Sequence, residues 1–182
     1  MSNALNFETT EGKNIIYTAN AMADAAREAI LPLFRSRSLV AENKTFNGFD
    51  PVTDADKSAE RAMITELKQR RPNDGVFGEE FGELEGDSLY RWILDPIDGT
   101  RAFMAGAPTW GVLISVEKIG NGSIFGIIDQ PFIGERFWGG LGIAEYAKQN
   151  EKKILKTSNV EEIENAILLS TFPEVGTDNE RN

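Results

Sequence analysis

The hydrophobic period of this chain changes once, near Gly75, and that change limits the folds open to it. From Asn14 to Phe34 apolar residues recur at Ile15, Ala19, Ala23, Ala26 and Ile30, the spacing of one helix face. Pro32 bends or ends the last turn. The segment TDADKSAERAMITELKQRRP predicts a second helix, opened by Thr53, lined by Ala59, Met63 and Leu67, and closed before Pro72. Beyond it the runs shorten. GVFGEE, LYRWILD, WGVLISVEKI and SIFGIID read as strands, the last two joined across GNG as a hairpin. ERFWG follows the turn QPFIG, KKILKTS and ILLSTF predict further strands, and VEEIENA a short helix. Asn43 to Val52 reads as a polar loop or short hairpin, and PEVGTDNERN as a polar tail. Two helices followed by a meander of strands imply an α+β fold, with the helices packed on a largely antiparallel sheet.

The residues that are missing narrow the chemistry. The chain has 182 residues, which suits one domain or one and a part. It contains neither cysteine nor histidine. Disulfides, thiolate metal sites, imidazole bases and imidazole ligands are therefore excluded. A reducing cytoplasm suits such a chain. No apolar run is long enough to span a membrane and no signal peptide opens the sequence, so no membrane partner is expected. A formal net charge of −10 repels a phosphate backbone, so no nucleic-acid partner is expected either. Clustered carboxylates can instead serve a hard cation, because Mg²⁺ and Ca²⁺ take oxygen ligands.

The run WILDPIDGTRAF concentrates that chemistry. Pro96 keeps Asp95 extended, and Gly99 permits a turn that other residues resist. If GTRAFMAG starts a helix, its first N–H groups are free and suit an anion such as phosphate. Asp95 and Asp98 would then stand beside a phosphate-sized hollow, which is tolerable only with cations between. Asp-Pro-x-Asp-Gly is equally an ordinary turn in which Asp98 caps a helix. Glu79 and Glu80 end a predicted strand. They form either a solvated acidic loop or, since neighbours on a strand face opposite ways, one ligand, for which Glu79 is chosen. In DPVTDAD, Thr53 and Asp56 fit a capping box. Asp56 can alternatively orient a hydroxyl elsewhere, and Asp54 suits the first turn of a helix as a solvated carboxylate.

Taken in order, DPVTDAD, GEE and WILDPIDGTRAF resemble the N-terminal part of the inositol monophosphatase family, the Mg²⁺-dependent, lithium-sensitive phosphatases. The resemblance runs from the first helix to about Phe172. TRAFMAGAPTWGVLISV and GIIDQPFIGERFWG resemble more particularly the histidinol-phosphatase-like branch. It implies the first half of a layered α-β-α-β-α fold and two or three Mg²⁺ ions. Glu79, Asp95 and the main-chain carbonyl of Ile97 would ligate the first ion. Asp95 would bridge to a second, also held by Asp98, and Glu79 would help place a third through water. The N–H groups of Gly99 and Thr100 would bind the substrate phosphate beside Asp98. The Thr100 hydroxyl, paired with Asp56, would orient the attacking water, with Glu80 in a supporting role. The implied reaction is hydrolysis of a small phosphate monoester, histidinol phosphate first and inositol monophosphate as the close alternative, by a cytoplasmic homodimer.

One part of the family pattern is absent. Relatives carry a second signature, a WDxAA-like segment that adds an aspartate to the second metal and lines the leaving-group pocket. Here the only tryptophans are Trp92, Trp110 and Trp138, and none precedes an aspartate. The expectation is an N-terminal, metal- and phosphate-binding half over 1–182. It would be weakly active or inactive alone, with an apolar face exposed where further layers would pack. The alternative is a non-catalytic metal-binding or interaction module that keeps the fold. Lys44 and Arg101 are either anion contacts or solvated cations, and Phe103 and Trp110 are expected in the core.

Overall fold

The computed structural model describes residues 5–37, 39, 41–43 and 51–169. Helix α1 spans Thr10–Ile30 and α2 spans Asp54–Arg70. The first helix begins one turn before the predicted Asn14, because Thr9 caps it by accepting the Gly12 N–H, and it ends before Pro32. Thr53 caps α2 and forms the expected capping box with Asp56. Because Thr53 is buried and its oxygen takes the Ala55 N–H, Thr53→Ala should cost about 1–2 kcal/mol in a urea melt.

The strands are β1 (Ala41–Asn43), β2 (Pro51–Thr53), β3 (Gly75–Gly78), β4 (Gly82–Leu84), β5 (Tyr90–Asp98), β6 (Gly111–Lys118), β7 (Gly122–Gln130), β8 (Glu135–Gly140), β9 (Ile143–Lys148) and β10 (Glu151–Ile154). A short helix α3, Thr100–Met104, follows β5. β1 and β2 pair alone, antiparallel. The other eight form one sheet in the order β10-β9-β8-β7-β6-β5-β3-β4, in which only β3 and β5 run parallel. The α+β class and the antiparallel bias expected from the sequence are both present.

Alternation along the strands sorts the two faces. Trp92 and Leu94 of β5, Val112, Ile114 and Val116 of β6, and Phe125 and Ile127 of β7 are buried. They share one core with Ile15, Met22, Ala26 and Ile30 of α1 and Ala59, Met63 and Leu67 of α2. The opposite face carries the cross-strand row Asp95, Leu113, Ile128, Phe137 and Tyr146. It is open: Ile128 is 52% exposed, and a hollow of about 610 Å³ runs over Ile93, Leu113, Ile128 and Phe137, with Asp95 in its lining. No helix among the described residues is long and apolar enough to cross a membrane.

Four local expectations change. The strand predicted as GVFGEE stops at Gly78, and Glu79, Glu80 and Phe81 form the turn into β4. VEEIENA yields only a 3-10 turn over Ile163–Asn165. The described part of ILLSTF, Ile167 to Leu169, is outside any strand and about 90% exposed at Ile167, with no neighbouring strand among the described residues to complete its backbone bonds. β4 and β9 were not anticipated. Lys44 and the tail from Pro173 lie outside the described residues.

Candidate active site

The carboxylates of the site arrive from three elements, and a single irregularity in β5 aligns two of them. Asp95 pairs with Leu113 and Asp98 with Gly111, so three steps along β5 match two along β6. The extra residue is a β-bulge. Residues three apart on a regular strand face opposite ways. The bulge restores Asp98 to the open face shared by Asp95, while Ile97 turns into the core, only 1% exposed. Gly99 then adopts φ +89°, and a Cβ there would lie 3.0 Å from the Thr109 carbonyl oxygen. Glycine is required for both reasons. α3 is anchored by Phe103, packed on Phe34 and Trp110 with ring centroids 5.2 and 5.0 Å away, so both aromatics are core as expected.

Glu79 comes from the β3–β4 turn. The parallel pairing of β3 with β5 sets Gly78 beside Leu94, and the Glu79 N–H donates to the Leu94 carbonyl at 3.2 Å. That carries the Glu79 side chain to Asp95, with which it shares a hydrogen bond. Burial, the Glu79 charge with that hydrogen bond, and the Asp98 charge together push the Asp95 carboxyl up to about 7. Asp95 Oδ1 is buried with no hydrogen-bond partner. Asp56, at the start of α2, is also raised, chiefly by burial and slightly by Glu79, against the opposing pull of its bonds from Thr53. Glu79 thus acts electrostatically on both Asp56 and Asp95, and Asp98 acts on Asp95; Asp56 is buried and Asp95 partly so, whereas Glu79 and Asp98 are exposed.

An orphaned, buried oxygen of a half-buried carboxylate among like charges fits a divalent cation, which supplies the missing partner and cancels the repulsion. Glu79 and Asp95 are in contact, whereas Asp98 acts through its charge. Among the described residues no three acidic side chains already stand in ligating geometry. The Thr100 hydroxyl donates to the Ile97 carbonyl at 3.1 Å, and Asp56 Oδ2 accepts from the Thr53 N–H at 2.8 Å and the Thr53 hydroxyl. Each of Thr100 and Asp56 is therefore near the site but bonded to a neighbour other than the one the resemblance implies. The Glu80 side chain is half-buried, and Arg101 and Asp54 are exposed.

One residue of the neighbourhood escaped the sequence reading. Glu60 of α2 is fully buried and accepts the backbone N–H groups of Glu80 at 2.8 Å and Phe81 at 2.9 Å. Its signal was an acidic residue four positions after Asp56, on the face that carries Met63 and Leu67.

The chain is similar to known proteins in sequence and in fold. A sequence model of the inositol monophosphatase family matches residues 11–182. A histidinol-phosphatase of Streptomyces coelicolor is 38% identical over 123 residues, 66% of this chain and 45% of the relative. The bifunctional phosphatase IMPL2 of Arabidopsis thaliana, a chloroplastic protein, is 37% identical over 166 residues, 90% of this chain and 46% of the relative. An inositol monophosphatase from Zymomonas mobilis superposes with a TM-score of 0.72 at 32% identity, covering 93% of this chain and 62% of that one. The chain spans about half the length of the curated relatives it matches.

Proposed function

The chain belongs to the inositol monophosphatase family, and from that premise we propose that it supplies the metal- and phosphate-binding half of a Mg²⁺-dependent phosphatase acting on a small phosphate monoester. Histidinol phosphate is the first candidate substrate, in keeping with the Streptomyces relative, and inositol monophosphate the second. The observation that carries the reading is the Glu79–Asp95–Asp98 corner, where Asp95 Oδ1 is buried without a partner and its carboxyl resists ionisation. A cytoplasmic setting and a homodimer belong to the same proposal.

The roles are those that the family resemblance implies. Glu79, Asp95 and the Ile97 carbonyl would hold the first ion. Asp95 and Asp98 would hold the second, and Glu79 would help place a third through water. Ions bound there neutralise a phosphate and bring the pKa of a bound water toward neutrality. The chain does the rest by positioning, which is most of what phosphoryl transfer needs. The N–H groups of Gly99 and Thr100 orient the phosphate at the start of α3. The Thr100 hydroxyl and Asp56 orient the attacking water, a role that requires the hydroxyl to leave the Ile97 carbonyl it now engages. A metal-activated water requires no histidine, and the chain has none.

Phosphate release from a panel of monoesters, with Mg²⁺ or with a chelator, tests this on the wild-type chain and Asp95→Asn. The expected result is slow, Mg²⁺-dependent release by the wild type, histidinol phosphate foremost, and none by the variant. Equal release by both would end the site assignment. Mg²⁺ binding without release would select the non-catalytic metal-binding module instead.

A further inference from the structure

We propose that Glu60 is a positioning residue for Glu79: its buried carboxylate holds the β3–β4 turn in the conformation that delivers the Glu79 side chain to Asp95. The inference rests on the metal-site reading above and adds to it the device that builds the site.

Three observations converge on it. First, the carboxylate is bidentate toward consecutive amides, Oε2 accepting from the Glu80 N–H at 2.8 Å and Oε1 from the Phe81 N–H at 2.9 Å. Charge-assisted bonds of this kind are the stronger ones. Two adjacent amides turned to one anion fix the backbone immediately after Glu79. Second, β3 leaves room for it. A Cβ built at Gly78 would collide with the Glu60 carboxylate, so the residue before Glu79 must be glycine for Glu60 to reach the turn. Third, Glu60 has no surface exposure, so its carboxylate is held out of water.

That third point decides between a positioning and a merely space-filling role. Taking a carboxylate out of water costs free energy. Filling the core alone would be served better by methionine or leucine. Glutamine would turn its NH₂ donor toward one of the two amides, and it lacks the charge that strengthens both bonds. A glutamate at this place is explained by the two N–H groups it receives. With the backbone of Glu79 also tied to Leu94, the turn is clamped on both sides of the ligand, once from β5 and once from α2.

The test uses the full chain as wild type, Glu60→Gln and Gly78→Ala, with Asp129→Asn as a destabilised control remote from the turn. Gly78→Ala displaces the Glu60 carboxylate without changing its charge, so it perturbs the clamp independently. Both turn variants should open the Glu79–Asp95 contact in metal-free crystal structures, and speed hydrogen exchange at the Glu80 and Phe81 amides more than at the core. They should also weaken Mn²⁺ affinity, measured by calorimetry, by about 10- to 100-fold, the range seen when residues behind metal ligands are removed. Asp129→Asn should lower the melting temperature and leave Mn²⁺ affinity unchanged. A Glu79–Asp95 contact that persists in Glu60→Gln and Gly78→Ala would overturn the inference. If the wild-type chain binds no Mn²⁺, the metal reading fails by itself, and the contact in the crystal structures still decides the role of Glu60.

Discussion

Replacing Asp95 with asparagine should abolish stabilisation of the protein by Mg²⁺ and, in a chelator, make the chain more stable than the wild type. The two effects have opposite sign and one cause. Asp95 lies on the open sheet face with Glu79 in contact and Asp98 close enough to raise its proton affinity further. A folded-state carboxyl pushed up to about 7 is one whose charge the fold disfavours. Asparagine keeps the shape and removes the charge. After allowance for screening, metal-free stability should rise on the order of 1–2 kcal/mol at pH 8. In the wild type the repulsion is offset by a cation, and a ligand at a hundredfold excess over its Kd stabilises a protein by about 2.7 kcal/mol. Thermal melts of both proteins in EDTA and in Mg²⁺ should therefore cross: the variant melts higher without metal, the wild type with it. An Asp95→Asn protein that melts below the wild type in EDTA and gains as much from Mg²⁺ would remove Asp95 from the metal site.

How much of this could be read from the chain depends on the range of the interaction involved. The two helices were legible because Ile15, Ala19, Ala23, Ala26 and Ile30, then Ala59, Met63 and Leu67, repeat at helical spacing and are all buried. The β6–β7 hairpin was legible because alternation and GNG coincide. β4 and β9 were not. β4 is three residues long, and β9 is half-buried along most of its length, so neither shows a clean period of two. The acidic residues at the end of β5 were visible as types but not as a geometry. Whether Asp95 and Asp98 share a face depends on a bulge defined only by register against β6. The choice of Glu79 over Glu80 rested on strand alternation, yet both lie in a turn, and the parallel pairing of β3 with β5 brings Glu79 to Asp95. Glu60 and Asp129 did leave a signal, a charge standing on a largely apolar helix face or strand face, and each turned out to be a buried carboxylate with dedicated donors.

Asp129→Ala should be the most destabilising of these substitutions. Asp129 follows Phe125 and Ile127 on the buried face of β7 and has no surface exposure. Its Oδ1 accepts from Arg27 of α1 at 2.7 Å and from Arg136 of β8 at 2.8 Å, and its Oδ2 accepts from Arg27 Nε at 3.3 Å. Arg136, its side chain 12% exposed, also reaches Asn20 at 2.9 Å and Asp24 at 2.7 Å on α1. One carboxylate thus ties α1 to two adjacent strands. Truncating it takes the buried partner from both guanidinium groups, leaving Arg136 with Asp24 and Asn20 and Arg27, its side chain 31% exposed, to water. The loss should be about 3 kcal/mol, the low end for buried pairs. The ion network as a whole need not be worth that much, because burying its charges is itself costly. Asp129→Leu combined with Arg27→Met and Arg136→Met should accordingly recover most of the loss, since no buried charge is then left unpaired and Asp24 is exposed. Urea unfolding of the single and triple variants separates the two quantities. A single-variant loss within about 0.5 kcal/mol, the scale of a surface change, would mean that water reaches Arg27 and Arg136 and that Asp129 does not hold α1 to the sheet.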